Sequence, residues 1–505
     1  MSRPALSASR TCLVVLLGAL LAAGSADGSA AAALQKRLQE IAVEKQELYN
    51  CSIGIAVETG AGLVLSAGND GSFAWGSVTK LATGAALMQQ VAARRISLDT
   101  PVAPLIDPLL VREGLGRMHV LFGPRVDSIT LEHLLAMKSG IPDYDTATPY
   151  PPPPTDAFRK AVYAQPAAEW PPAKLLNLSY VRKGKLEFEP GAHWAYSSTN
   201  FVLAGLLLAR LSNATTWDAY GQAALLSPLP AQRRSSYALD FASHGTPAAH
   251  GAVRGFDRTS YNGANASARP GVDVSDVAGV FGGWTASDIV APPASVARLV
   301  YDLFGASGPR LLARQYVDEM IPGARDAAGG GQSNWARGAP LGGGRVASAA
   351  SRRLEGARGR FGARSDVYSH RMEDIYGLAT FNLSIMGVTG QSSLSPYAVS
   401  YGHLGATYGY DSIAAYFPAI DAAVSIGTSI ETDSQTAPSD TLCLVYNALL
   451  AAVRGTAEPR CSFSKESYFG GRCDCGNTYA CHKLLRKCVK SELGSLSKED
   501  CSRTC

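Results

Sequence analysis

Past residue 23 the sequence has no apolar run that reads as a membrane span. The run before it, Leu13–Ala23, is too short to cross a bilayer comfortably. Histidine is scarce and scattered. His119, His133, His193, His244, His250, His370 and His482 stand at no metal-ligand spacing with neighbouring carboxylates. No glycine-rich phosphate loop follows a strand-like run, so the sequence predicts neither a metal nor a nucleotide cofactor. Charge is also thin, at 17% of residues with a net of +4. The excess is local: between Arg325 and Arg371 lie Arg337, Arg345, Arg352, Arg353, Arg358, Arg360 and Arg364, against Asp326, Glu355 and Asp366. The remainder is near neutral, which argues against a nucleic-acid-binding surface.

Cysteine is nearly missing from the body of the chain and crowded at its end. Cys461, Cys473, Cys475, Cys481, Cys488, Cys501 and Cys505 fill residues 461–505, a density that reads as a disulfide-rich C-terminal module in an oxidising compartment. Seven is an odd number, so either one pairs outside the module, with Cys443 or Cys51, or one stays as a thiol. Two further features agree with export. Arg3 and Arg10 precede the apolar run and Gly24-Ser25-Ala26 follows it, as in a signal peptide over residues 1–26. Asn-x-Ser/Thr sites occur at Asn50, Asn177, Asn213, Asn265 and Asn382. The expectation is a secreted glycoprotein, or one in the lumen of the secretory pathway, with no stable membrane span. The basic tail carries Lys483, Arg486, Lys487 and Lys490. It reads either as a knob for a glycan, cell-wall or surface partner, or as a stabilised terminus.

Hydrophobic periodicity places a helix over 31–48, strands at 52–57 and 63–66 joined through Thr59-Gly60-Ala61-Gly62, and a helix beginning at Ser77. A helix capped by Thr130 runs to Lys138. Residues 145–175, with Pro149, Pro151 to Pro154, Pro166, Pro171 and Pro172, predict an irregular surface excursion, and 240–280 predict loops. Helices follow at Phe201–Leu211 and Pro293–Phe304. The low-complexity Arg/Gly stretch 325–370 reads as an insertion. Strands return at Tyr376–Gly387, Ser412–Phe417 and Ala423–Thr428, before a last helix at Asp440–Arg454. The order implies an α+β fold, with a sheet from both chain ends and an all-helical insertion.

Three Ser-x-x-Lys spacings occur: Ser77 to Lys80, Ser462 to Lys465 and Ser495 to Lys498. Residues three apart on a helix share a face, and a hydroxyl beside an amine near a helix start can serve as a nucleophile. Alone the tetrapeptide is weak, since Ser77 could be a helix cap and Lys80 a solvated side chain. Only the first is followed by an apolar helix, and other phrases accompany it. These are Leu98-Asp99-Thr100-Pro101-Val102; Ile129-Thr130-Leu131-Glu132-His133-Leu134-Leu135, running on through Lys138-Ser139-Gly140-Ile141-Pro142-Asp143-Tyr144; Pro190-Gly191, then Tyr196-Ser197-Ser198; Gly282-Gly283-Trp284-Thr285-Ala286-Ser287-Asp288; and His403-Leu404-Gly405. In this order they resemble the serine beta-lactamase and penicillin-binding-protein superfamily, in its class C-like branch, over residues 31–455.

The resemblance implies a beta-lactamase-like α+β fold and an acyl-enzyme on Ser77, formed from a small peptide, amide or ester substrate. It implies Lys80 as proton acceptor and Tyr196 as proton shuttle, with no cofactor. The backbone amides of Ser77 and Ala406 would hold the oxyanion, with Gly405 keeping the strand edge clear and Ser198 and His403 at the substrate. The chain departs from the family's pattern twice. Ser198 stands where the tyrosine motif usually ends in Asn, and Leu404 replaces the usual Thr. Losing that hydroxyl implies weak penicillinase activity and a looser grip on a substrate carboxylate, which a protonated His403 would restore only in part. The reading is thus a D-amino-acid peptidase or esterase type of hydrolase. The alternative is a catalytically silent binding protein attached through its cysteine-rich tail.

Overall fold

The computed structural model describes residues 27–145, 157–259, 271–308, 310–322, 375–391, 395–432 and 435–461, and the backbone of 477–482 and 487–495. The expected signal peptide, the 325–370 insertion, Asn265, Cys473, Cys475, Cys501 and Cys505 lie outside these residues.

Helix α1, Asp27–Tyr49, leads into β1, Ile53–Thr59, and β2, Val64–Gly68. Helix α2, Thr79–Ala92, follows a single 3-10 turn at Gly76–Val78. The helical region contains α3, Leu131–Leu135; α4, Ala157–Ala164; and α5, Thr199–Leu211. The chain returns through α6, Pro293–Phe304, and strands β3, Phe381–Asn382; β4, Tyr401–Thr407; β5, Tyr410–Phe417; and β6, Ala422–Thr428. Helix α7, Thr436–Arg454, closes the fold.

The main sheet has the order β2-β1-β6-β5-β4-β3, so both chain ends build it, and every pairing in it is antiparallel. Every residue of β1 and of β6 is buried, as a strand covered on both faces requires. Helix α6 packs against β1, β5 and β6; α7 packs against β5 and β6 and against α1, which covers β1 and β2. Strand β2, at the sheet edge, alternates exposed and buried residues instead. Among the described residues no helix is long and apolar enough to cross a membrane.

Three expectations need correction. The proline-rich excursion contains two helices, α4 and a short one at Pro172–Leu176. Of its described prolines, Pro166 follows the first helix, and Pro171 and Pro172 open the second, where a missing N–H costs nothing. Helix α4 inserts Phe158 and Arg159 into the core; the Arg159 guanidinium pairs with Asp257 at 2.6 Å and with Glu431 at 2.6 and 2.8 Å. The strand expected over 376–387 shrinks to β3, followed by a 3-10 turn that the Asn382 side chain caps. The helix expected from Thr130 to Lys138 stops at Leu135, although Thr130 caps it as foreseen, in a reciprocal box with His133.

At the C-terminal end, Cys443 of α7 is bonded to Cys461, one of the two external pairings open to the tail. Cys51 is half-buried. Beyond Cys461 the backbone forms an antiparallel pair, Asn477–His482 with Lys487–Ser495, in which Cys481 lies opposite Cys488.

Candidate active site

The turn before α2 is set by Gly76, whose φ of +52° is left-handed. A Cβ built there would come within 2.5 Å of the carbonyl oxygen of Ala406 and 2.9 Å of its nitrogen. Gly405 makes the reciprocal approach, since a Cβ on it would lie 2.1 Å from the carbonyl oxygen of Trp75. Two glycines therefore let the backbone before Ser77 lie directly on β4. Ser412 Oγ fastens the same turn from β5 by donating to the Trp75 carbonyl at 2.9 Å, and the Trp75 indole donates to Ala291 O at 2.9 Å. β4 pairs fully with β5 on one side but with β3 only at Tyr401 and Gly402 on the other. The edge from His403 to Thr407 is thereby left for the Ser77 turn and whatever occupies the cleft.

Ser77 is half-buried and Lys80, one turn on, is fully buried. Lys80 Nζ lies 2.8 Å from Ser77 Oγ, 3.2 Å from Ser198 Oγ and 3.0 Å from the carbonyl oxygen of Ala286. Lys80 donates to all three; as a neutral amine it keeps the bonds to Ala286 and Ser198 and has a lone pair free to take the Ser77 proton. Burial drives the Lys80 pKa down to about 7, against the opposing pull of the Asp143 and Asp145 carboxylates. The Tyr196 hydroxyl donates to Ser77 Oγ at 2.9 Å. Burial raises the Tyr196 phenol far above its ordinary value, so it stays protonated. Lys80 and Tyr196 thus meet at the Ser77 hydroxyl, and Ser198 joins them through Lys80, from two separate parts of the sequence.

His403 lies close to this group, and its protonation state is set by the fold. Its ring packs among Tyr376, Phe381 and Tyr196, with centroids 5.7, 4.7 and 6.5 Å away. Nδ1 faces the Leu404 carbonyl and so carries the proton; Nε2 then accepts from the Tyr376 hydroxyl at 3.1 Å. Burial first, then the charge of Lys80, pushes its pKa down to about 3. The fold holds His403 neutral, so it offers no charge to a substrate carboxylate. Leu404 is buried as well.

Several neighbours carry roles that their sequence phrases do not reveal. Ala286 acts through its carbonyl and Asp143 through a backbone N–H of Ser198, so neither is visible as a side-chain motif. Tyr376 lay in a run read simply as a strand. Of the expected glycosylation positions, Asn50, Asn177 and Asn213 are exposed, but Asn382 is buried and its side chain accepts from Ser384 N at 3.2 Å. An oligosaccharide cannot be carried there in this fold, which corrects that expectation.

A family model described as Beta-lactamase matches residues 55–442. The chain belongs to the beta-lactamase family. Among solved structures, it is similar to a D-stereospecific amidohydrolase from Streptomyces sp., at 18% identity and TM-score 0.53, over 84% of this chain and 99% of that one. The D-amino acid amidase of Ochrobactrum anthropi SV3, solved with D-phenylalanine, gives 16% identity and TM-score 0.53 over the same shares. An octameric penicillin-binding protein homologue from Pyrococcus abyssi gives 16% identity and TM-score 0.52, over 84% of this chain and 78% of that one. At such identities these likenesses concern the fold. A probable fimbrial assembly protein, FimD of serogroup H1, from Dichelobacter nodosus is 25% identical over 138 residues, 27% of this chain. The match spans only 29% of that relative's length. Family membership places the protein among the serine hydrolases of this fold.

Proposed function

We propose that the protein is a secreted hydrolase that cleaves a small amide or ester through an acyl-enzyme on Ser77, with D-amino-acid amides or peptides as the amide class. The observation that carries this is the convergence of Lys80 Nζ and the Tyr196 hydroxyl on Ser77 Oγ, at 2.8 and 2.9 Å. Neutral Lys80 takes the Ser77 proton as Oγ attacks the substrate carbonyl carbon. The oxyanion forms against the amides of Ser77 and Ala406, whose backbones Gly76 and Gly405 bring together. Tyr196 then gives its proton to the departing amine or alcohol and is reprotonated from Lys80 by way of the Ser198 hydroxyl, Ser77 Oγ being acylated at this stage. Water attacks the acyl-enzyme, the same groups accept its proton and return one to Ser77 Oγ as the acyl–oxygen bond breaks, and the acid is released.

Two observations support an uncharged or amine-bearing substrate over a penicillin. His403 is neutral, and Leu404 has no hydroxyl with which to hold a carboxylate. The D-amino acid preference comes from the structural neighbours and is part of the proposal. In the same reading, residues 31–455 form the hydrolase unit, between a signal peptide and a cysteine-rich module. A panel of D- and L-phenylalanine amides, short-chain p-nitrophenyl esters and benzylpenicillin tests the substrate class. Turnover of a D-amide or an ester is expected to exceed benzylpenicillin hydrolysis by at least ~100-fold in kcat/KM, about 2.7 kcal/mol of transition-state binding. Penicillin hydrolysis as fast as the best amide or ester would contradict the assignment.

A further inference from the structure

The loop after α3 reaches the site from a side that the Ser77, Tyr196 and His403 motifs do not account for. Asp143 Oδ1 accepts from the backbone N–H of Ser198 at 2.9 Å, and beside it Tyr144 N donates to Thr199 Oγ1 at 3.0 Å. Ser198 is the residue at which α5 begins, and its own side chain makes no capping bond. That hydroxyl is turned to Lys80 Nζ instead, at 3.2 Å. The Asp143 carboxylate therefore does what a cap would do: it satisfies a donor at the helix start and sits at the favourable end of the dipole. Its presence leaves the Ser198 hydroxyl available for Lys80.

We propose that Asp143 is a positioning residue for this reaction, holding Ser198 against Lys80 through the backbone N–H of Ser198 while presenting its carboxylate toward the buried amine. This rests on the acyl-enzyme reading above. The groups that face Lys80 are few. Tyr196 approaches from the segment before α5, Asp143 and Asp145 from the loop after α3, and the neutral ring of His403 from β4; the 284–286 turn offers only the Ala286 carbonyl. Both carboxylates favour the ammonium form, Asp143 more strongly than Asp145. Asp145 differs in its bonding, since its Oδ1 accepts from the Tyr408 hydroxyl at 2.9 Å. The two acids thus separate charge from clamping.

The test is the rate of Ser77 modification by a fluorophosphonate probe, followed from pH 5 to 9 in the wild type and in D143N, D143E and D145N, each with its thermal melt. Asn keeps an acceptor for Ser198 N and loses the charge. Removing a negative charge lowers the Lys80 pKa, so the D143N midpoint is expected to move to lower pH by about 1 unit. D145N is expected to move the same way by less. D143E keeps the charge but misplaces the carboxylate; it should hold the midpoint and lose about 10-fold in rate at pH 9. A D143N midpoint equal to that of the wild type overturns the proposal. So does D143E with a full wild-type rate at pH 9, which decides the matter if D143N does not fold. A wild type that forms no Ser77 adduct overturns the parent reading and this one with it, whereas labelling with unmoved midpoints overturns this one alone.

Discussion

Lys80 is a fully buried amine whose partners are two hydroxyls and a carbonyl, with carboxylates nearby but not bonded to it. Burial penalises its charged form by more than Asp143 and Asp145 recover, which is why it can act as a base near neutrality. In the proposed mechanism activity requires the deprotonated form. Its acid limb should therefore rise through about pH 7, with less activity below and more above. Lys80→Met keeps the volume and removes the base. It is expected to lower kcat by roughly 10²–10⁴-fold and to abolish that limb, which a pH–rate profile on the best substrate measures. The convergence of Ser77, Lys80 and Tyr196 was legible in the sequence because each is carried by a side chain and the motifs keep their order. The neutrality of His403 was not, because burial among Tyr376, Phe381 and Tyr196, and then the charge of Lys80, create it. Nor was the burial of Asn382, since a short sequon says nothing of the strand that contains it.

At the level of elements, the site depends on how closely a turn and a strand can approach. Gly76 supplies a left-handed φ and the missing Cβ that lets the turn rest on Ala406, and Gly405 answers it from β4. Gly76→Ala would face a left-handed conformation costing ~1–2 kcal/mol and a steric overlap with the Ala406 backbone. The turn and β4 should separate, lowering kcat at least ~10-fold and depressing the melting temperature by several degrees, measured on the same preparation. Strongly patterned elements were readable: α6 matches its sequence expectation from Pro293 to Phe304, and β1 and β6 fall where continuous apolar runs place them. Helix α4 was hidden by its proline-rich surroundings. It is held by a tertiary ion pair of Arg159 with Asp257 and Glu431, which no local pattern encodes. The Arg159 guanidinium also lies over the Tyr408 ring, 4.4 Å from its centroid, and Tyr408 donates to Asp145. This helix therefore supports the loop that carries Asp143.

Over the whole molecule, chain ends and middle have distinct tasks. The ends build the sheet and its covering helices; the middle supplies Tyr196, Ser198 and the Asp143 loop across the cleft from β4. The Cys443–Cys461 bond pins the chain after its last helix to the body of the fold, closing a separation of 18 residues. On chain-entropy grounds a closure of that size contributes about 3 kcal/mol. The architecture was legible because helix, strands, a helical middle and returning strands admit few arrangements. Pairing with Cys443 was one of three outcomes the odd cysteine count left open, beside pairing with Cys51 and an unpaired thiol, until α7 placed Cys443 beside Cys461. The central claim is that Ser77 is a nucleophile. Intact-mass analysis after incubation with a fluorophosphonate probe, on wild type and Ser77→Ala in parallel, addresses it most directly. One adduct per chain on the wild type, mapped to the peptide containing Ser77 and lost in Ser77→Ala with an unchanged melt, is the predicted result. Equal labelling of both proteins, or no adduct on the folded wild type, would contradict it.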